Sequence, residues 1–500
     1  MGDVLKAIYP ILLMMSCAIE SAFGAQRAPQ ASGDTTWYSI ATEGGALIGH
    51  GSHQETQSDH GREIIDMQEV DLVDEGTPDE RMSFSNVTKM RALITRTVRK
   101  EDATGWAVSI STDTENRRDW ARTEARIGKD SAEVTRSTPA ETRTLTVALP
   151  ASVRFDNGDG LLRTWTAKEK PRLEFDNFNI DAMAVEHVTI ETLPNAPARP
   201  GTIAALRERF DGKELIAVAR LLVDDKERIV EATQPTPGAG MVIRAVDKQT
   251  ALASVAPYRA VPSVMKKSIA RIPPSAMHAH IRYRFEFQDA IEFQPPQTSE
   301  QRVTVDAGIA TIDICNACGP GLPVDAAYIK DSRKPTAWLQ SDSLKLKEIA
   351  APIAAMKISD ARKMELLRQT AKPYLGRVDF TGHYSALETL SRHAADCTEA
   401  AVLLAALGRA AGIPTRVANG LVYSRESYHG VSNAWMPHSW TLAFVDGEWR
   451  SFDLALDEFD STHIALAVGD GDERSLLAAG QRAGLLKWES IVEVKAKPEN

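Results

Sequence analysis

One segment constrains the fold of this chain more than any other, because it must be a helix that is buried on every side. Residues 400–411 read AAVLLAALGRAA, which leaves almost no polar face to turn to water. Gly412 and Pro414 end the helix, since glycine suits the cap and proline cannot continue the hydrogen-bond ladder. Three strand patterns follow, at 416–423, 437–445 and 448–453. Asp446-Gly447 indicates a hairpin turn between the last two, so we expect the helix to pack beside an antiparallel sheet.

A cysteine at the start of this helix has the setting that a nucleophilic thiol needs. Cys397 lies in the first helical turn, where the helix dipole and the backbone N–H groups favour negative charge. A free thiol has a pKa of about 8.5, and a helix N-terminus with a nearby imidazolium lowers it by several units. His438 would accept the thiol proton and later protonate the leaving group, and Asp453 would fix the histidine tautomer. The backbone N–H of Cys397 would help to hold the oxyanion.

A simpler interpretation gives these residues no chemistry. A buried cysteine on a helix is most often a small core residue, and a lone histidine on a strand is usually a satisfied polar group. The order of the three residues on helix, strand and strand is more specific than either alone. His438 and Asp453 stand on either side of the predicted hairpin turn and can face each other across the ladder. From the residues alone, a catalytic triad and a purely structural role are equally supported.

The same segment resembles the transglutaminase-like superfamily. The pattern of that family is roughly G-D-C-x-E, then R-A-x-G-I-P-x-R, H-x-W and G-x-W-x-x-x-D-P. The matching residues are Asp396, Cys397, Glu399, Arg409-Ala410-Ala411-Gly412-Ile413-Pro414-Thr415-Arg416, His438, Trp440, Gly447, Trp449 and Asp453. The likeness extends upstream to Pro335–Asp342 and downstream to Ser461–Leu466, and so covers about residues 335–475. It implies a papain-like α+β domain that attacks amides through a thioester.

This chain departs from the family pattern at three positions. Ala395 stands where a glycine usually precedes the Asp-Cys pair, and Leu454 stands where a proline usually follows the aspartate. Leu442 replaces a carboxylate that often follows the histidine. None of these changes removes a member of the triad, although they leave open how the substrate cleft is shaped. His429 is a rival base, but it lacks the tryptophan two residues on, and we prefer His438.

The first 25 residues have the pattern of an export signal. Lys6 supplies a positive charge, 8–19 is an apolar run, and cleavage is expected near Gly24 or Ala25. The run is too short for a permanent membrane anchor. Cys17 leaves a lipid anchor as an alternative. We expect a periplasmic or secreted protein without a permanent membrane span.

Length and net charge indicate how many domains the protein has and which partners it is expected to bind. About 475 mature residues exceed what a single core usually covers, so we expect at least two domains. A formal net charge of −10 argues against nucleic acid and anionic membrane surfaces as partners. The sequence shows no metal or calcium site and no cofactor motif, and acidic clusters such as 470–473 lack the spacing of an EF-hand loop. The expected partner is a protein or peptide substrate.

A β-rich region occupies residues 26–320. Ile281–Phe287 alternates cleanly between apolar and polar residues, which is typical of an antiparallel sheet with one face in water. Breaks at 194–201 and 235–240 divide two sub-sheets, which a short helix at 203–210 would join. Asn157-Gly158 indicates a further turn. We find no chemistry here, so the region would deliver substrate, bind a partner or act as a spacer.

Two cysteines lie at the end of this region. Cys315 and Cys318 form a C-x-x-C pair, but no second pair of ligands suggests zinc, and the βαβ context of a thioredoxin site is missing. In an oxidising compartment a structural disulfide is favoured. That pairing would leave Cys397 as the unpaired thiol of the mature chain.

Together these patterns predict an α+β protein with a β-rich N-terminal region and a transglutaminase-like domain over 335–500. Helices at 344–356, 360–371 and 384–393 would precede the thiol helix, and a strand at 485–494 would end the domain. Trp435 and Trp440 are candidate walls of the substrate cleft. The expected activity is that of a cysteine peptidase or amidase, or of a cross-linking transglutaminase, and hydrolysis is favoured because water outnumbers any amine. The alternative is an inactive binding or scaffold protein of the cell envelope.

Overall fold

The computed structural model describes most of the chain in two compact units. The described residues are 35–73, 90–115, 120–139, 141–156, 161, 165, 171–224, 228–235, 240–253, 255, 263–287, 293–376, 383–428 and 431–495. The first unit ends at residue 260 and the second begins at residue 261. The export signal and the turn at Asn157-Gly158 lie outside the described residues.

The first unit is one antiparallel sheet of fourteen strands. The strands are β1 (Thr35–Thr42), β2 (Leu47–Ser58), β3 (Gly61–Val73), β4 (Met90–Asp102), β5 (Ala107–Glu115), β6 (Trp120–Ile127), β7 (Ser131–Ser137), β8 (Thr142–Ala148), β9 (Arg172–Asn179), β10 (Ala184–Thr192), β11 (Thr202–Asp211), β12 (Glu214–Asp224), β13 (Ile229–Gln234) and β14 (Met241–Val246). Their order is β8 to β1 and then β14 to β9, so two meanders join where β1 pairs with β14. A helix of four residues, α1 (Lys248–Ala251), follows β14.

The two edges of this sheet approach each other. The backbone N–H of Arg154, after β8, donates to the carbonyl of Asp176 on β9 at 2.7 Å, and Phe178 donates back to Arg154 at 2.8 Å. One apolar cluster contains Ile110 on β5, Val134 on β7 and Phe178 on β9. It also contains Ile180 and Met183, which follow β9. The sheet therefore curls and buries one of its faces.

The helix predicted at 203–210 is wrong. These residues lie in β11, which pairs with β10 on one side and with β12 on the other. The segment Leu206-Arg207-Glu208-Arg209-Phe210 alternates between the two faces of the sheet, and its neighbours bury it on both sides. Ladder hydrogen bonds to two strands outweigh a helix preference that is weak in a segment this short.

The buried face of the sheet carries charge, and His53 is its clearest titratable group. Its Nδ1 lies 2.7 Å from Asp66 Oδ1 and its Nε2 lies 3.2 Å from Glu55 Oε1. Burial acts to lower the pKa of His53, but the two carboxylates outweigh burial and raise it to about 9. His53 is therefore a buried cation at neutral pH.

We expect the first unit to lose stability as the solution becomes alkaline. The folded pKa of His53 lies above the unfolded value of about 6.5, so its contribution is complete below that pH and is lost as the pH rises through about 9. A shift of this size is worth up to about 3 kcal/mol. Urea unfolding of the chain and of His53→Gln at both ends of this range measures it. Equal losses of stability in the two proteins would contradict this role.

The second unit contains nine strands in two sheets and seven helices among its described residues. The strands are β15 (Lys266–Lys267), β16 (Ile281–Phe287), β17 (Gln301–Asp306), β18 (Ile309–Ile314), β19 (Thr415–Ser424), β20 (Ala434–Val445), β21 (Glu448–Phe452), β22 (Ile464–Gly469) and β23 (Leu486–Glu493). The helices are α2 (Pro274–Met277), α3 (Ala326–Asp331), α4 (Leu344–Ala354), α5 (Asp360–Ala371), α6 (Ala386–Arg392), α7 (Cys397–Ala410) and α8 (Glu473–Leu485). A 3₁₀ turn, Lys372–Leu375, follows α5. One sheet has the order β15-β20-β19-β22 with β21 on β20, and the other has the order β17-β18-β16-β23.

The predicted α+β class is confirmed, with 48% strand and 20% helix among the described residues. The predicted end of the N-terminal region at residue 320 is too late, because β16 pairs with both β18 and β23. Residues 263–320 therefore belong to the second unit. Residues 301–314 form the hairpin of β17 and β18, which turns at Ala307-Gly308, where both residues have positive φ.

Helix α7 lies at the centre of the second unit. Thirteen of its fourteen residues are buried, and it packs on β19, β20 and the helices α4, α5 and α6. A Cβ atom on Gly408 would lie only 2.6 Å from a methyl group of Thr415, so this crossing requires glycine. Gly412, with φ +85°, follows the helix end as predicted. The helix begins at residue 397, three residues before the apolar run.

Candidate active site

Cys397 is the first residue of α7, and the residue before it caps the helix. Asp396 Oδ1 accepts a hydrogen bond from the backbone N–H of Thr398 at 2.7 Å, and Glu399 Oε2 accepts one from the N–H of Asp396 at 2.8 Å. This reciprocal pair is a capping box, which fixes the first helical turn. The thiol of Cys397 therefore sits at the positive end of the helix dipole, and its residue is 1% exposed.

His438 lies in the middle of β20 and is buried. It pairs with Gly420 on β19, and a Cβ atom at that glycine would collide with the carbonyl oxygen of Ile464 on β22. The ring Nε2 of His438 lies 2.6 Å from Oδ2 of Asp453. An imidazole held by a buried carboxylate through one nitrogen presents its other nitrogen, Nδ1, in a fixed direction.

Asp453 directly follows β21. The register of the hairpin pairs Thr441 with Phe452, so Asp453 continues the ladder level with Trp440 and not with His438. Its carboxylate reaches His438 diagonally, while its Oδ1 accepts the backbone N–H groups of Ala455 and Leu456 at 2.7 and 2.9 Å. The chain turns after β21 around this side chain, which orients the carboxylate.

Two hydrogen bonds set the direction of α7 along β20. Thr441 on β20 donates to the carbonyl of Ala401 at 3.0 Å, and Thr415, paired with Ala443, donates to the carbonyl of Ala405 at 2.8 Å. The helix and the strand therefore run in the same direction. One turn back along α7, from Ala405 to Ala401, matches two residues back along β20, from Ala443 to Thr441. One more turn, about 6 Å, leads from Ala401 back to Cys397, and three residues back along β20 from Thr441 lead to His438. The start of α7 therefore lies toward the part of β20 that carries His438.

Comparison with known proteins agrees with this arrangement. Residues 347–454 match the model of the transglutaminase-like superfamily. This part of the chain is a transglutaminase-like domain. The matched segment runs from α4 to the residue after Asp453, and so it includes Cys397, His438 and Asp453. No match was found among curated proteins.

Three solved structures show distant likeness. A beta-barrel-like protein of a domain of unknown function from Brucella abortus is 14% identical, with 43% of this chain and 95% of that chain covered and a TM-score of 0.32. A candidate cysteine protease from Cytophaga hutchinsonii is 14% identical over 43% of this chain and 86% of that chain, with a TM-score of 0.27. A candidate protease from Parabacteroides distasonis is 10% identical over 70% and 64%, with a TM-score of 0.19. At these TM-scores the likenesses say nothing about the site.

The capping box of the transglutaminase-like domain carries a buried acid pair. Burial raises the pKa of Glu399 well above its usual range, and the charge of Asp396 raises it further. The raised pKa favours the protonated form of Glu399, because an uncharged carboxyl group avoids the repulsion between two buried carboxylates. Its Oε1 also accepts the backbone N–H of Tyr384 at 3.2 Å, which ties the segment before α6 to the cysteine helix.

We expect Glu399→Gln to be tolerated and Glu399→Ala to be costly. Glutamine keeps an acceptor for the N–H groups of Asp396 and Tyr384 and removes no charge, so unfolding free energy should change by less than about 1 kcal/mol. Alanine leaves two buried N–H groups without this acceptor and should cost about 2–4 kcal/mol. Denaturant unfolding of both variants tests this, and an equal loss in the two would show that Glu399 is ionised.

A histidine that sequence reasoning did not single out completes the site. His463 precedes β22, and its Nε2 lies 3.0 Å from the same Oδ2 of Asp453 that faces His438. Burial acts to raise the pKa of Asp453, but His438 and His463 together hold it well below its usual range. The family tail at 461–466 contains this residue, but nothing in its spacing indicates the contact.

These three residues, His438, Asp453 and His463, also form a donor set of the kind that binds metals, with one ligand atom of each within 4.8 Å of the others. The two histidine nitrogens approach Asp453 Oδ2 at 2.6 and 3.0 Å, however, which are direct hydrogen-bond distances. Ligands of one zinc ion stand about 2.0–2.2 Å from the metal and do not bond each other in this way. The trio is therefore a hydrogen-bonded cluster.

The two tryptophans proposed as cleft walls occupy different surroundings. Trp440 stacks on His438 with 6.1 Å between ring centroids, and its indole N–H donates to Ser451 Oγ at 3.3 Å. Trp435 packs against Trp488 and Tyr283, at 4.5 and 5.5 Å between centroids, in an aromatic cluster joining the two sheets. Trp440 is thus next to His438, whereas the contacts of Trp435 are those of a core residue.

The remaining sequence features fall in place around the triad. Cys315 and Cys318 are joined by a disulfide, and Cys397 is the cysteine that forms no disulfide among the described residues. Leu454, at the usual proline position, is buried in the core under α7, and Leu442 is buried on β20. The rival base His429 lies outside the described residues. Within the described ranges, no helix combines the length and the apolar character needed to cross a membrane.

Proposed function

We propose that this chain is an exported cysteine enzyme that cleaves amide or peptide bonds through a thioester. The observation that supports this most strongly is the buried 2.6 Å contact between His438 Nε2 and Asp453 Oδ2, since His438 lies on β20, the strand that packs against the helix beginning with Cys397. A cysteine in the first turn of a helix and a histidine held by a buried carboxylate are the two settings that a thiolate–imidazolium pair requires.

In the proposed reaction, Cys397, His438 and Asp453 act in both halves of the cycle, which are the formation and the hydrolysis of a thioester. The Cys397 sulfur attacks the carbonyl carbon while Nδ1 of His438 holds the thiol proton. His438 then passes that proton to the leaving amine, and the C–N bond breaks to leave a thioester on Cys397. Water, deprotonated by His438, adds to the thioester and releases the acid, and the sulfur leaves as a thiolate. Asp453 keeps its charge throughout and fixes the ring.

Several observations support parts of this proposal. The backbone N–H of Thr398 is occupied by Asp396, so the N–H of Cys397 itself is the nearest candidate donor to the oxyanion within the first turn. The signal-like segment 1–25 and the disulfide of Cys315 and Cys318 both favour an oxidising compartment outside the cytosol. Hydrolysis is preferred to amine transfer because water is present in large excess.

Acylation by p-nitrophenyl acetate tests this proposal without knowledge of the natural substrate. We expect one acetyl group on Cys397, found by mass spectrometry, and its loss in Cys397→Ser and His438→Ala. Adding casein as the acyl donor and a fluorescent primary amine as the acyl acceptor then distinguishes hydrolysis from cross-linking. If Cys397 is no more acylated than it is in His438→Ala, the enzyme proposal fails and a binding or scaffold role takes its place.

A further inference from the structure

His463 is in contact with two carboxylates at once. Its Nε2 lies 3.0 Å from Asp453 Oδ2 and its Nδ1 lies 3.0 Å from Asp460 Oδ1, and the side chain is almost entirely buried. A neutral imidazole has one N–H and one lone pair, so it can donate to only one of these oxygens. Only the imidazolium donates to both.

A neutral ring has one competing arrangement. The backbone N–H of Asp460 lies 3.2 Å from Nδ1 and could donate to it. Against that single donor stand two acceptors at shorter range, the carboxylate of Asp460 at 3.0 Å and its carbonyl oxygen at 3.1 Å. Burial acts to lower the pKa of His463, but its bonds to Asp453 and Asp460 raise it to about 9. Geometry and charge both favour the cation.

Both carboxylates are themselves held in place. Asp453 accepts two backbone N–H groups through Oδ1, which leaves Oδ2 shared between His438 and His463. Asp460 accepts from the backbone N–H and the hydroxyl of Thr462 at 2.8 and 2.6 Å. The loop that carries them is fixed from β16, because Tyr283 donates to the carbonyl of Ser461 at 2.7 Å. His463 thus bridges two anchored carboxylates.

The polar groups that face this ring come from several elements. Asp453 lies after β21, Asp460 lies in the loop before β22, and His438 lies on β20 with 5.3 Å between the ring centroids. Tyr283 contributes its phenol from β16, and the pKa of that phenol is raised by burial and by Asp460. The remaining neighbours are the rings of Trp440 and Phe459, at 5.2 and 4.8 Å, which carry no charge.

We infer that His463 is a positioning residue, which as a buried imidazolium clamps Asp453 between two histidines and so fixes the ring of His438. The clamp has two effects. It stops the carboxylate from rotating away from His438, and it places a permanent positive charge near the His438 ring. That charge disfavours a second positive charge on the nearby His438. The pKa of His438 is therefore lowered, and its ring becomes a weaker base and a better proton donor. The catalytic meaning of this effect rests on the proposed function, but the clamp itself does not.

The experiment is a histidine titration of the full-length chain by NMR, with ring-labelled histidine. The signals of His438 and His463 are assigned by their loss in His438→Gln and His463→Gln. In the unaltered protein we expect His463 to remain doubly protonated at neutral pH. In His463→Gln, which keeps one N–H donor but no charge, the pKa of His438 should rise by about 1–3 units.

His53→Gln is the matched control, because His53 also bridges two carboxylates but lies in the first unit. It should leave the His438 titration unchanged. Asp460→Asn is a second variant, which should lower the pKa of His463 itself even if His463→Gln does not fold. A neutral His463 at pH 7, or a His438 titration that is the same in His463→Gln and His53→Gln, overturns the inference.

Failure of the proposed function gives a different result. If Cys397 is not acylated but the His438 titration still responds to His463→Gln, the clamp stands and the enzyme proposal falls. If Cys397 is acylated normally and the titration does not respond, the enzyme proposal stands and His463 is only a packing residue.

Discussion

Asp453→Asn should reduce acylation of Cys397 by p-nitrophenyl acetate by roughly 10²–10⁴-fold, the usual range for the loss of positioned proton transfer. Oδ2 of Asp453 is the acceptor for both His438 and His463, at 2.6 and 3.0 Å. An asparagine can place its oxygen either toward the two rings or toward the two backbone N–H groups that Oδ1 accepts, and its NH₂ group then opposes donors at the other position. It also removes the negative charge that stabilises the imidazolium form of His438.

The control for this variant is Asp457→Asn, which removes a carboxylate only four residues away. Asp457 is half exposed and pairs with Arg368 and Lys372 on the outside of the unit. We expect its acylation rate to stay within about twofold of the unaltered protein, since exposed ion pairs contribute little. Acylation rates that match in Asp453→Asn and in the unaltered protein would remove Asp453 from the triad.

The second large effect concerns stability. Replacing Arg409, near the end of α7, with methionine should lower the free energy of unfolding by about 3–5 kcal/mol. Its guanidinium has no exposure and donates to the carbonyls of Thr415 and Lys334 and to the carboxylate of Asp470. Methionine fills the space but removes this donor from the carbonyl of buried Thr415 and from the carboxylate of Asp470.

Arg450→Met provides the comparison on the same unit. Arg450 pairs with Glu448 on β21, and both side chains are about half exposed. That pair should contribute less than about 1 kcal/mol. Denaturant unfolding that gave equal losses for the two arginines would show that the Arg409 network adds no stability. Arg416, the last residue of the family motif, also donates to Asp470. Equal losses would therefore leave that motif without a structural explanation in this chain.

Local patterns predicted the elements that carry the triad. The apolar run at 400–411 and the stop at Gly412 predicted α7 within three residues at its start and one at its end. The hairpin at Asp446-Gly447 predicted β20 and β21, because a turn with two positive-φ residues is a strong local signal. Helices α4, α5 and α6 also lie where their caps and apolar spacing predicted them.

What the sequence could not predict depends on contacts that are far apart in the chain. The pairing of β16 with β23 joins residues about 200 positions apart, so the boundary at residue 320 could not be corrected by composition. The helix predicted at 203–210 failed for a similar reason, since its strand neighbours decide its conformation. His463 was missed because the contact with Asp453 forms only once the loop at 457–463 is folded against β16.

The most direct test of the account is the ionisation of Cys397. The ultraviolet absorbance of the thiolate, taken as the difference between the full chain and Cys397→Ser, needs no access to the buried sulfur. We predict a thiolate that persists down to about pH 5 and a titration that moves toward about pH 8.5 in His438→Ala. A thiol that titrates near pH 8.5 or higher in both proteins would contradict the triad and leave a binding role for this domain.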